Sequence, residues 1–406
     1  MARYGGFTLD ELPEDAYDEV VSRATTKTLQ LALARQEAVA ILTALLSGGR
    51  SWGDLSAAEM AKLRGLPQVR ALLEAGRSLR HHDAQATLRF ASLARYAADH
   101  LDPKEFGFEQ VADLRGLAWA ELGNAYRICD DLPRAGQAMS RAVYWSRRGS
   151  HSTLLLARVA DLLASLLSNQ RRLAEGIDLL NLVYELHLNS GRNHLAGRAL
   201  ISAGLLIGLG GAPGKAILRI RRGLDLLDPD RDPELAAQAI QSLLWFLTDL
   251  GRFRAARRLL WRSRVLLVEH GNALAFLRLR WLEGRIYAGL SDFSRAEAAF
   301  QETRAGFAEH GQVYPAAMAG LDLAALWARQ GRHAEVNALA QEMIATFRAL
   351  RIAREAIVTL LILQKACAAG GGQLLEIIEM VVSFLEDLER QPARRYESGS
   401  PPPSSS

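Results

Sequence analysis

Four residues stand at equal spacing: Arg158, Arg198, Gln238 and Arg278 are each 40 positions apart. Arginine carries a planar fork of donors that matches a carboxylate and also stacks on aromatic rings. Two tryptophans, Trp245 and Trp281, lie close to this series in sequence, as do Asn124, Arg127, Asp161 and Arg285. Trp281 stands three after Arg278 and four before Arg285, which puts all three on one face of a helix. Arginine and tryptophan dominate the energetics of protein interfaces. Three arginines and a glutamine in line, beside two tryptophans, would suit an acidic or carboxylate-bearing extended peptide. Arg158 and Asp161 are also spaced for an ordinary ion pair within one helix, and the two tryptophans would equally serve as core between repeated units.

Bond-making chemistry finds less support. His81-His82-Asp83 reads as a polar turn, with Asp83 capping the next helix, because a metal site needs more ligands at defined spacing. His187 and His194 straddle Ser190-Gly191 and read as exposed loop histidines. The run Gly208 to Lys215 has the glycine content of a phosphate-binding loop, yet no strand precedes it and Ala216 stands where Ser or Thr should hold magnesium. No nucleophile and base are paired by spacing. Cys129 and Cys367 are two distant thiols in apolar helical context, which fits neither a metal cluster nor a disulfide framework. The expectation is a chain without enzymatic activity, cofactor or metal, in a reducing cytoplasm.

Bulk composition agrees. The 406 residues are 49% apolar and 23% charged, the balance of a folded, water-soluble chain. Forty-nine basic residues against 45 acidic ones leave a net charge of only +4, so nucleic acid is not an expected partner. The run Met1 to Asp18 is acidic without an apolar core, unlike a secretory signal. The longest apolar stretch, around Leu200 to Leu209, is too short to cross a bilayer, so no membrane insertion is expected.

The elements that must position the arginines follow from a second periodicity. A small residue recurs as Gly123, Ala164, Gly204, Leu244, Gly284 and Ala324. A large one follows three later: Tyr126, Leu167, Ile207, Leu247, Tyr287 and Trp327. A second small one stands twelve after the first: Ala135, Gly176, Ala216, Ala256, Ala296 and Val336. Self-similarity of this period marks stacked supersecondary units. Each unit reads as two helices broken at Asp130 to Pro133, Gly210 to Pro213, Gly251 to Phe253, Ser291 to Phe293 or Gly331 to His333. Proline suits a first turn, and glycine just past a helix end supplies a left-handed cap. Small residues at facing positions let two antiparallel helices approach closely, so the hairpins holding Leu244 and Val336 should splay or find compensating partners. No segment alternates with period two, so no sheet is expected.

The unit opening near Gly116 resembles the tetratricopeptide repeat. Trp119, Leu122, Gly123, Tyr126, Ala135 and Ala142 stand where that family has its Trp, Leu, Gly, Tyr and two Ala, with Met139 in place of the usual aromatic. Gly284, Tyr287, Ala296 and Phe300 match nearly as well. The resemblance covers about residues 67 to 390, in units of 40 rather than the family's 34, like the long-helix bacterial variants. It implies an all-α fold, an α-solenoid of about eight stacked antiparallel helix hairpins in a right-handed superhelix. It also implies that the first helix of each hairpin lines a concave groove. Mapped so, Asn124, Arg127, Arg158, Arg198, Gln238, Trp245, Arg278, Trp281 and Arg285 are the candidate partner-binding residues. The subfamily that clamps a terminal carboxylate has a Lys where this chain has Ala120, so that particular ligand is not expected.

Outer helices would carry a second cluster. Arg252, Arg254, Arg257, Arg258, Arg262 and Arg264 have no acid between them, and Arg219, Arg221 and Arg222 come one unit earlier. Arg219, Arg222, Arg257, Arg258 and Arg262 would form a convex basic patch for nucleic acid or an acidic partner, or a solvated face. The acidic run Thr8 to Glu19 would complement it in charge. Residues 1–66 read as an acidic N-terminal helical cap, with Ser56 and Glu59 as a capping box, and residues 391–406 as a disordered Pro/Ser-rich tail. The function expected is a non-enzymatic scaffold binding a peptide or protein segment in its groove. The alternative is a regulator of signalling or transcription that senses a ligand or peptide. Far-ultraviolet circular dichroism should report helix without appreciable strand, and appreciable strand would end this reading.

Overall fold

Two 17-residue helices and two three-residue turns make up most of the 40-residue units. The computed structural model describes residues 65–80, 83–269, 273–349 and 374–389, together with single positions within 22–63 and 360–364. The acidic run, nearly all of the 1–66 cap with Ser56 and Glu59, the turn residues His81 and His82, and the 391–406 tail lie outside the described residues. The described residues form helices and turns without a strand.

The chain divides into two compact units, Met1–Gly210 and Gly211–Ser406. In the first, α1 (Leu66–Leu79) and α2 (Ala84–Asp99) form a hairpin. A one-turn α3 (Pro103–Phe106) leads to α4 (Phe108–Ile128) and α5 (Leu132–Ser146), then α6 (Thr153–Asn169), α7 (Leu173–Asn189) and α8 (Asn193–Leu209). In the second, α9 (Pro213–Leu226) is followed by α10 (Pro233–Asp249), α11 (Phe253–Glu269), α12 (Ala273–Gly289), α13 (Phe293–Glu309), α14 (Val313–Arg329), α15 (His333–Ala349) and α16 (Leu374–Glu389). Within each unit, elements adjacent in sequence pack on each other, and first helices also touch first helices: α4 on α6, α10 on α12, α12 on α14. This is a stack of antiparallel helix hairpins, with a core buried between the two layers.

The turn inside each hairpin repeats in detail. A left-handed residue occupies Asp130 (φ 62°), Arg171 (62°), Gly211 (84°), Gly251 (65°), Ser291 (64°) and Gly331 (73°). In five of the six, the N–H of the next residue reaches the carbonyl five positions back, on Tyr126, Leu167, Leu247, Tyr287 or Trp327, at 2.8–2.9 Å. That bond satisfies a carbonyl the helix end would otherwise orphan. Three turns adopt it without glycine, at a cost of about 1 kcal/mol each. Asp131, Asp232 and Asp292 cap the helices that follow, accepting from Arg134 N, Leu235 N and Arg295 N at 3.1, 3.4 and 3.4 Å. Asp83 caps α2 in the same way, at 2.8 Å from Ala86 N.

The small positions are the places of closest approach. Ala135, Ala216, Ala256 and Ala296 are fully buried. The two helices of the hairpins holding Leu244 and Val336 touch over less of their length than those of the hairpins holding Gly123 or Gly284. A Cβ at Gly284 would fall 2.7 Å from the buried ring of Phe300. One at Gly136 in α5 would meet nothing nearer than Gln170 at 4.0 Å. Alanine is worth up to about 1 kcal/mol over glycine inside a helix, whereas overpacking a core costs about 1–3 kcal/mol. Gly136→Ala should therefore raise the melting temperature and Gly284→Ala should lower it. Equal shifts in scanning calorimetry would show that the small positions are not set by packing.

Candidate functional site

One cleft of the first unit, about 550 Å³ in volume, gathers side chains from the first helices of successive hairpins. Arg70 and Arg77 come from α1, Asp113 and Leu117 from α4, Arg158 and Asp161 from α6, and Arg198 from α8. Arg158 and Arg198, 40 apart in sequence, thus line the same wall, because stacked units convert equal spacing into neighbouring rungs. Val183 and His187 reach in from α7.

Glu121 of α4 organises the cations. It is only 6% exposed. Arg77 Nε donates to it at 2.7 Å from α1, and Arg158 Nε and Nη2 donate at 3.0 and 3.2 Å from α6. Arg158 also reaches Asp161 at 3.4 Å. Arg127 donates twice to Asn124 Oδ1, at 3.1 and 2.9 Å, and Asn124 is itself buried. Burial holds the Arg80 guanidinium below its ordinary pKa, and Arg158 and Arg198 push it further down against Glu121 and Asp161. Burial also lowers Arg127, with Asp161 opposing and Arg80 adding to the fall. Of the arginines that line the cleft (Arg70, Arg77, Arg158, Arg198), Arg77 and Arg158 pair with Glu121, and the lining acids are Asp113 and Asp161.

His187 was expected in an exposed loop and is not there. It belongs to the last turn of α7, is 7% exposed, and lines the cleft. Its Nδ1 has no hydrogen-bond partner among the described residues. Burial lowers its pKa first, Arg192 adds to the fall, and Asp161 opposes it. The signal was present in the sequence. Leu180, Val183, Tyr184 and His187 fall at helical spacing on one buried stripe.

The second unit uses its candidate residues differently. Trp281 is 7% exposed and lies in the core, its Nε1 donating to Asp322 Oδ2 at 2.6 Å. Trp245 packs edge-on to it, with ring centroids 5.1 Å apart. Arg285 lies 4.7 Å over the Trp245 ring and pairs with Asp249 at 3.0 Å and Asp322 at 3.8 Å. Desolvation pushes the Asp322 carboxyl above its ordinary pKa, while Arg285 and the Trp281 N–H pull it back. These contacts knit α10, α12 and α14 together, and Arg285 Nη1 is left buried without a hydrogen-bond partner among the described residues. Gln238 and Arg278 are exposed on α10 and α12. On the other layer, Arg222, Arg257, Arg258 and Arg262 are exposed and Arg219 is half-buried. Gly208 to Lys215 is the ordinary turn between α8 and α9. Among the described residues no group of three or more His, Cys, Asp or Glu could hold a metal, and no helix is long and apolar enough to cross a membrane.

The lowered His187 pKa has a definite sign. The folded state resists protonation, so its stability is full above the ordinary value near 6.5 and falls as pH drops below it. Urea midpoints at pH 7.5 and 5.5 should differ less in His187→Gln than in the natural chain. An unchanged difference would remove His187 from the acid response.

No protein-family model matches the chain, and no curated protein matches it in sequence. Solved structures do match it in fold. A Rap protein complexed with Competence and Sporulation Factor aligns at a TM-score of 0.56 and 14% identity, over 80% of this chain and 88% of that one. The apo form of RapI aligns at 0.52 and 12% identity, over 69% of this chain and 98% of that one. The chain is therefore similar in fold to these proteins, and its architecture is that of a tetratricopeptide-like helical repeat.

Proposed function

We propose that the chain is a non-enzymatic binding scaffold whose first-unit cleft receives an extended, carboxylate-bearing segment of a peptide or partner protein. The observation that carries this is the lining of the cleft itself, where four arginines (Arg70, Arg77, Arg158, Arg198) from three helices stand against two aspartates (Asp113, Asp161). Arg70 is exposed at the rim and Arg198 stands one rung beyond Arg158, so carboxylates on an extended segment would meet cations at successive positions. The unpartnered His187 Nδ1 supplies a further polar contact. The fold shared with a Rap protein that was solved bound to Competence and Sporulation Factor supports a ligand-binding role. A second reading, a regulator that senses such a peptide and passes the event to an effector, is favoured by the exposed basic and apolar face of α11.

The test is fluorescence anisotropy with a labelled acidic peptide interrupted by proline, so that it stays extended, against the lysine version of the same peptide. The acidic peptide should bind with an affinity that falls as salt rises. Arg70→Ala with Arg198→Glu should weaken it about tenfold or more. Equal binding of the two peptides, or an unchanged affinity in the double variant with the melting temperature retained, would sink the assignment.

A further inference from the structure

Helix α11 buries one side and leaves an unusual other side. Ala256, Leu260 and Leu267 point into the second unit's core. Opposite them Trp261, Val265 and Val268 are 80%, 68% and 47% exposed. Their spacing of four and three makes them one continuous stripe along the helix. Single exposed apolar residues are common on protein surfaces, but a continuous stripe of three headed by a bare tryptophan marks an interaction face.

The stripe has a charged border. Arg254, Arg257, Arg258 and Arg262 are exposed and make no ion pair or hydrogen bond among the described residues. Arg264 has only a loose contact with Glu283, at 3.7 Å. Along α11 the first acid is Glu269, the last residue. A solvated helix face ordinarily mixes both signs and pairs them three or four residues apart. Here exposed arginines run from Arg254 to Arg264 with Trp261 among them, and Val265 and Val268 continue the apolar stripe beyond.

From this we infer that the outer face of α11 docks an acidic amphipathic helix of a partner protein. The partner would lay apolar side chains over Trp261, Val265 and Val268 and set Asp or Glu against Arg254, Arg257, Arg258 and Arg262. Nucleic acid would match the arginines and leave the apolar stripe in water. The stripe rises only about 10 Å along the helix, a length that suits one or two turns of a docked helix rather than a bilayer anchor. The surface lies wholly on α11 and does not depend on the cleft of the first unit.

The probe is a synthetic helix-forming peptide with leucines at i, i+4 and i+7 flanked by glutamates, measured by isothermal titration against the full chain. Its lysine-for-glutamate counterpart, phosphatidylserine vesicles and a short DNA duplex are titrated in parallel. The acidic helix should bind and its lysine counterpart should not. Trp261→Ala and the double variant Arg258→Glu with Arg262→Glu should each weaken binding about tenfold or more. Both sites are exposed, so the circular dichroism spectrum and melting temperature should be unchanged. The cleft variant Arg198→Glu should leave this binding intact, which separates failure here from failure of the groove. No binding of the acidic helix at millimolar concentration, equal binding of the lysine peptide, or binding to vesicles or DNA alone would overturn the inference.

Discussion

One backbone constraint sets the frame: a residue held at positive φ in the turn inside each 40-residue unit. At five of these turns it lets the next N–H close onto the carbonyl five residues back, so each first helix stops at an equivalent place. Stopping alike matters more than length. If one helix ran a residue further, its side chains would rotate by about 100 degrees relative to those of its neighbours. Arg158 and Arg198 would then face different directions and the cleft would lose its wall. The regular turn is thus what makes equal spacing in sequence mean adjacency in space.

Within that frame the charge arrangement is costly by itself. Burial is the main reason Arg80 and Arg127 hold their protons less tightly, and neighbouring arginines add to it. Glu121 makes the cluster tolerable by standing between α1 and α6 with its carboxylate fully used. The second unit settles the same problem with an aromatic and acidic network, in which Asp322 receives the Trp281 N–H and faces Arg285. The first cluster lines an open cleft, and the second ties α10, α12 and α14 together.

Most of the fold was legible because it depends on short-range spacing. The breaks at Asp130 to Pro133 and Ser291 to Phe293, the caps at Asp83 and Asp131, and the small positions Gly123 and Gly284 are all decided within a dozen residues. The lengths also agree, since 17-residue helices leave no room for more than a three-residue turn in a 40-residue unit. The site was legible only in part. Arg158 and Arg198 were found by their interval, but Arg77, which meets Glu121 across 44 residues, carries no periodic mark. Arg278 and Trp281 differ by only three positions, and which of them faces inward depends on Phe307 and Trp245 from neighbouring hairpins. His187 reads as a loop residue because it stands near Ser190-Gly191, whereas α7 continues to Asn189 and buries it.

The clamp at Glu121 carries a consequence for how such a chain can evolve. Its two cationic partners sit 44 residues before it and 37 after it, in different hairpins. Duplicating, deleting or exchanging any one of those three hairpins would strand a buried anion or orphan a pair of cations. The first unit is thus a sentence with fixed word order, although its grammar looks modular, and lineages descended from it should vary in the number of hairpins elsewhere before they vary there.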